Sequence, residues 1–141
     1  MSVLIFIDQA EGHVKKSSLE ALCYGSALAK QMGIPAEGVV LGSSKDDLAA
    51  LGVYGVTTIH QVQNDSLNHF DAQLYTRVIA QVVPATGAKV IVFSNNTDGK
   101  AIAPRLSARL QAGLAAGAVA LPDTSAGFVV KKNVFLSLIH I

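Results

Sequence analysis

The sequence predicts an α/β fold of three layers, with a mainly parallel sheet between two layers of helices. Three observations carry the prediction. Strand-like runs at Val3–Ile7, Glu37–Leu41, Thr57–Val62 and Val90–Phe93 alternate with stretches of helical apolar spacing. The first and last of these runs are continuously apolar, as strands buried on both faces are, rather than alternating. The strand–helix succession repeats four times, which calls for right-handed crossovers and helices on both faces of the sheet.

Val3–Ile7 is the first strand and ends at Asp8. Gln9–Lys16 is polar, contains Gly12 and reads as a loop. Ser17–Glu20 matches a capping box, in which a serine hydroxyl and a glutamate each satisfy an orphan backbone N–H at a helix start. The helix then runs through Leu22, Cys23, Leu28 and Met32, with Gly33 and Pro35 as its stop. Glu37–Leu41 is the second strand, and a short helix follows over Lys45–Leu51, closed by Gly52. Thr57–Val62 is more polar, which places it near a sheet edge. Gln63–Phe70 reads as a loop. Asp71 caps a helix carrying Leu74, Val78 and Val82, with Tyr75, Ile79 and Val83 alongside, and Pro84 and Gly87 end it. Lys89–Leu110 is the most informative stretch: a strand, the polar loop Ser94–Lys100, then Ile102, Leu106 and Leu110 four apart on one helix face. Pro104 lies inside this helix if it starts near Asp98, or near its first turn if it starts later. Gly113–Pro122 is small and apolar, as a fifth strand would be. Asp123–Gly127 is a turn. Phe128–Phe135 is strand-rich and adds antiparallel pairing at the sheet edge, with Lys131 and Lys132 guarding that edge. Leu136–Ile141 is apolar without turn or cap and reads as a truncated or foreign tail.

The 141 residues fit one domain with a real core. Half are hydrophobic, and the net charge is +1. Near-neutral charge, 6% aromatics and no tryptophan imply no polyelectrolyte partner, so no nucleic-acid partner is expected. No apolar run is long enough to span a membrane, and the first residues lack the basic lead and cleavage site of a secretory signal. The single cysteine, Cys23, cannot form an internal disulfide and reads as a buried small hydrophobe in a reducing compartment.

Candidate chemistry gathers at the strand ends, where open α/β sheets hold ligands. Asp8 ends the first strand, where a carboxylate either binds a ribose or metal or caps a nearby loop. Ser94, Asn95, Asn96 and Thr97 offer hydroxyl, amide and backbone N–H groups at a helix start. Two readings stand for that loop: an anion cradle, or plain helix capping. It lacks the glycine spacing of a Walker loop or a dinucleotide fingerprint. His13, His60, His69 and His140 share no ligand spacing, so no metal site is predicted. Arg105 and Arg109 lie four apart on the last helix. Their ridge is either a solvated face or a subunit contact. The sequence shows no catalytic constellation: there is no nucleophile elbow, no carboxylate pair at helix spacing and no reactive-cysteine context.

Several segments together carry a family resemblance: Val3–Asp8, the helix Leu19–Met32, Leu48–Val56, and above all Asp98–Leu110 followed by Val129–Phe135. In order and spacing they resemble the electron transfer flavoprotein alpha subunit, and specifically its N-terminal domain, over residues 1–135. The resemblance implies a Rossmann-like fold similar to the adenine-nucleotide hydrolase and universal-stress superfamily. It further implies pairing with a beta subunit, in a heterodimer that carries electrons by FAD from flavin dehydrogenases of fatty-acid oxidation to a membrane quinone oxidoreductase. On this reading FAD belongs to the full-length heterodimer and none is expected in residues 1–135. The chain is then a scaffold and subunit contact, an electron-carrier fragment rather than an enzyme, in a bacterial cytoplasm or a mitochondrial matrix. The alternative is a stand-alone adenine-nucleotide-binding or universal-stress-like domain using Asp8, Ser94, Asn95, Asn96 and Thr97. The loop departs from the glycine-rich loop of those fold relatives, and residues 136–141 depart from the alpha-subunit pattern.

Overall fold

The computed structural model describes residues 1–94, 96–118 and 132–140. Its strands are β1 (Ser2–Phe6), β2 (Gln9–Ala10), β3 (His13–Val14), β4 (Ala36–Leu41), β5 (Thr58–Val62), β6 (Ala88–Ser94), β7 (Gly113–Ala118) and β8 (Lys132–His140). Its α-helices are α1 (Lys16–Met32), α2 (Ala72–Thr86) and α3 (Thr97–Leu110). Six strands form one sheet in the order β5–β4–β1–β6–β8–β7. The first four are mutually parallel, and β8 runs antiparallel to both β6 and β7. This is the α/β architecture with a mainly parallel sheet that the strand–helix alternation predicts.

The period-two alternation of β1 explains the three layers. Val3, Ile5 and Ile7 face α1, where they pack with Ala21, Leu22 and Leu28. Leu4 and Phe6 face the other side and join Ile79 of α2 and Ile102 and Leu106 of α3. Each such side chain stabilises the fold by about 1.5–3 kcal/mol when fully buried. Gly25 lets α1 approach the sheet: a Cβ there would lie 2.4 Å from Ile5 Cγ1.

Several local expectations change. The capping box does not form. α1 begins at Lys16, its N-cap Lys15 supplies no side-chain cap, and Ser18 instead bonds the backbone of Asp8. The Asp8 N–H donates to the Ser18 hydroxyl where β1 leaves the sheet, and the Asp8 carbonyl accepts from both that hydroxyl and the Lys15 N–H. Cys23 is exposed, because the buried stripe of α1 runs through Ala21, Leu22, Gly25, Leu28 and Ala29, and residue 23 falls on the outer face. The helix expected at Lys45–Leu51 is a 3₁₀ segment at Leu48–Tyr54, capped by Asp47 and ended by Gly55 at φ 98°. The start moves because Asp46 is already engaged with His13 and the Val14 N–H. Part of Gln9–Lys16 forms the β2–β3 hairpin, whose turn residues Glu11 and Gly12 both have positive φ. Pro84 does not end α2. The helix runs on to Thr86, whose hydroxyl donates to Val82 O and Val83 O, and Gly87 closes it. α3 starts at Thr97, so Pro104 lies inside it.

The C-terminal part differs in topology. β8 is an inner strand, not an edge strand, and β7 is the edge. α3 carries the chain past one strand position to a β7 parallel to β6, and an antiparallel β8 fills the slot between. The boundary expected after Phe135 falls inside β8, where Leu136 to His140 pair with Ser94 to Val90. The turn expected at Asp123–Gly127, the stretch from residue 119 to 131 and Asn95 lie outside the described residues.

Candidate functional site

The strand order makes a topological switch between β1 and β6, because their following segments leave in different directions. Asp8 sits just beyond β1 and is 3% exposed. Its carboxylate accepts from Lys15 Nζ at 2.9 Å and from Asn96 Nδ2 at 3.1 Å. Lys15 Nζ also donates to Asp98 at 3.1 Å, so two carboxylates share one ammonium. Asn96 caps α3 by accepting from the Gly99 N–H at 2.8 Å, and its amide also reaches Ser17 Oγ. Ser94 donates to the Ser17 carbonyl at 2.8 Å. Gly99 is required here, since a Cβ would lie 2.0 Å from the Ser94 carbonyl oxygen.

Burial pushes the Asp8 carboxyl above its usual range. The Lys15 hydrogen bond opposes that shift, and the charge of Asp98 adds to it. Burial works against the Lys15 ammonium, but its hydrogen bonds to Asp8 and Asp98 outweigh burial and raise its pKa. The cluster therefore holds a protonated lysine, with no free base or nucleophile.

A cavity of about 460 Å³ opens beside it, at the ends of β1 and β4. Phe6, Phe70 and Tyr75, in mutual ring contact through Tyr75, give it an apolar lining, and Ser43, Ser44 and Lys45 give it a polar one. Asp8, Glu11 and Asp98 also line it. A flavin dinucleotide does not fit these residues. Its pyrophosphate would face three carboxylates against the single lining lysine, Lys45, and the Gly99 N–H at the helix start is already bonded to Asn96.

Of the candidate residues, the fold brings Asp8, Ser94 and Asn96 together. Thr97 is exposed in the first turn of α3, and Asn95 lies outside the described residues. Lys15, Ser18 and Asp98 belong to the cluster but carried no sequence signal of a site. Only the switch-point rule, applied to the loops after both strands, points to residues so far apart in the chain. The histidines go elsewhere: His13 bonds Asp46 and His60 bonds Glu37. Among the described residues no group of three or more His, Cys, Asp or Glu side chains is placed to hold a metal. No helix among them is long and apolar enough to cross a membrane. Arg105 and Arg109 are exposed and share a separate groove of about 250 Å³ with Gln73, Thr76 and Arg77 of α2.

Comparison with known proteins gives the family. The model of the electron transfer flavoprotein domain matches residues 3–139. The chain is 30% identical over 114 residues to protein FixB of Clostridium saccharobutylicum, covering 81% of this chain and 34% of that protein. It is 29% identical over 120 residues to the electron transfer flavoprotein subunit alpha of Clostridium acetobutylicum, covering 84% of this chain and 36% of that one. It is also 29% identical over 115 residues to the acryloyl-CoA reductase electron transfer subunit beta of Anaerotignum propionicum, covering 81% and 31%. The chain thus spans about a third of the length of these relatives. With a match that runs from the first strand through β8, the chain belongs to the electron transfer flavoprotein domain family.

Proposed function

We propose that this chain is the N-terminal domain of an alpha-type electron transfer flavoprotein subunit, acting as scaffold and contact surface for a beta subunit. The observation that carries the reading is the family match over residues 3–139, combined with a strand-end cluster whose groups are spent on one another. Such a cluster holds loops in place and leaves chemistry to another part of the assembly. Electron transfer in the heterodimer would run through FAD held outside this chain, from flavin dehydrogenases, including those of fatty-acid oxidation, to a quinone oxidoreductase. The site's role would be to fix the relative positions of β1, α1 and α3. The test is reconstitution with the beta subunit of the same source, followed by light scattering on the eluted complex. A one-to-one complex at about micromolar concentration, roughly −8 kcal/mol, is expected. Separate elution of the two chains under those conditions overturns the reading. The competing assignment, a stand-alone adenine-nucleotide domain, requires ATP or AMP to bind more tightly than about 10 µM, or roughly −7 kcal/mol. The three carboxylates around the cavity oppose that binding, and calorimetry with each nucleotide decides it.

A further inference from the structure

The chain contains three arginines, Arg77, Arg105 and Arg109, and all three line one groove between α2 and α3. Every other cation of fixed charge is a lysine, and among the described residues no lysine lines this groove. All three arginines are exposed, and among the described residues none has a carboxylate partner. Two of them, Arg105 and Arg109, sit four apart on one helix, a spacing at which like charges repel unless an anion meets them. The groove floor is Thr76, which is buried, and its hydroxyl is spent on the Ala72 carbonyl. The floor therefore offers no specific donor, and recognition falls to the guanidinium forks. Forked, weakly hydrated guanidinium groups suit paired contact with carboxylates, whereas lysines suffice for a merely solvated face.

We infer that this groove docks an acidic segment of the partner subunit, with two or more carboxylates entering between α2 and α3. The inference rests on the pairing reading above and adds the surface and the charge of its partner. The groove lies on the sheet face covered by α2 and α3, opposite α1, so contact there leaves the Asp8–Lys15 cluster untouched. Its volume, about 250 Å³, suits a few side chains from one helix or loop rather than a folded core.

The test compares the wild-type chain with Arg77→Gln/Arg105→Gln/Arg109→Gln, and with a control, Lys16→Gln/Lys30→Gln, at exposed positions of α1. Affinity for the beta subunit of the same source is measured at low and high salt. The arginine variant is expected to lose about tenfold or more in affinity and most of the salt dependence, while the control loses neither. Circular dichroism of each variant confirms an unchanged fold. Equal affinity of the arginine variant overturns the groove assignment and leaves pairing intact. If the wild type forms no complex, pairing fails, and a labelled polyglutamate peptide judges the groove by itself. Salt-sensitive binding that disappears in the arginine variant supports an acid-binding groove, and no binding overturns it. Displacement of the peptide by an equal concentration of inorganic phosphate would mark a phosphate site and overturn the carboxylate assignment.

Discussion

Lys15→Met removes the ammonium that Asp8 and Asp98 share while keeping much of the side-chain stem. Asp8 is then left buried, with Asn96 as its remaining side-chain donor among the described residues and a second carboxylate nearby. Breaking a fully buried ion pair costs about 3–5 kcal/mol. The Lys15 side chain is 32% exposed, so solvent already screens part of its interaction, and Asn96 retains part of what Asp8 needs. Those two discounts bring the expected loss at neutral pH to about 2 kcal/mol. For a chain of this length that lowers Tm by roughly 6–10 °C. The loss depends on pH with a definite sign. The Asp8 carboxyl is raised in the folded state, so its contribution is fully present below 3.8 and is lost as pH rises through the folded value. Removing Lys15 raises that folded value further, because its hydrogen bond and charge hold the carboxyl down. The variant should therefore approach wild-type stability toward pH 3.8 and fall away above it. Urea unfolding followed by circular dichroism across this range measures both quantities. A loss below about 0.5 kcal/mol at neutral pH, or one of equal size in acid, refutes the assignment of Lys15 as the shared counter-ion.

Two further predictions concern packing. Gly25→Ala places a Cβ 2.4 Å from Cγ1 of the fully buried Ile5, and should cost about 1–3 kcal/mol less the roughly 1 kcal/mol gained in helix propensity. Adding Ile5→Val removes the Cδ1 contact at 2.5 Å and should return part of the loss, so strictly additive effects in chemical unfolding would count against the close approach. Deleting residues 136–141 removes the whole ladder between β8 and β6 together with buried Ile139, and should cost at least about 3 kcal/mol. Calorimetry checks this against Val90→Asp in β6, which buries a lone carboxylate, and a deletion that melts near the wild type would show that β8 is dispensable.

What could be read in advance follows the range of the forces involved. Continuous apolar runs such as Val90–Phe93 are legible because burial on both faces imposes their composition directly. Asp71 was legible as a cap because its two accepted N–H bonds, from Gln73 and Leu74, lie within one turn. Ser17 and Ser18 carried the same local signal, yet a partner distant in sequence outbid it: the backbone of Asp8 offers Ser18 two hydrogen bonds in a buried setting. The place of β8 was hidden for a related reason. Residues 136–140 have the composition of an unsupported tail, and only the pairing of β6 and β7 to either side gives them a slot. At the site, Asp8, Ser94 and Asn96 were visible by their place at strand ends. Lys15 and Asp98 were not, because a salt bridge spanning 83 positions leaves no periodicity to read.

Electrostatics at the switch point bears on how the two functional readings compare. Asp8, Lys15 and Asp98 together carry one net negative charge, and in the adjoining cavity Glu11 adds another that Lys45 offsets. A phosphate entering there would have to displace Asn96 from the start of α3 and compete with two aspartates for one ammonium. The positive end of the helix dipole favours an anion at that point, and the Asp98 carboxylate in its first turn already supplies one. The same sign of ligand meets the opposite field at the α2–α3 groove, where three guanidinium groups stand without a carboxylate among the described residues. Negative charge is thus opposed at the strand ends, where an α/β domain would hold a nucleotide, and welcomed on the helix face, where a neighbouring chain would dock. That distribution favours a domain whose contribution is contact and placement over one that holds a nucleotide of its own.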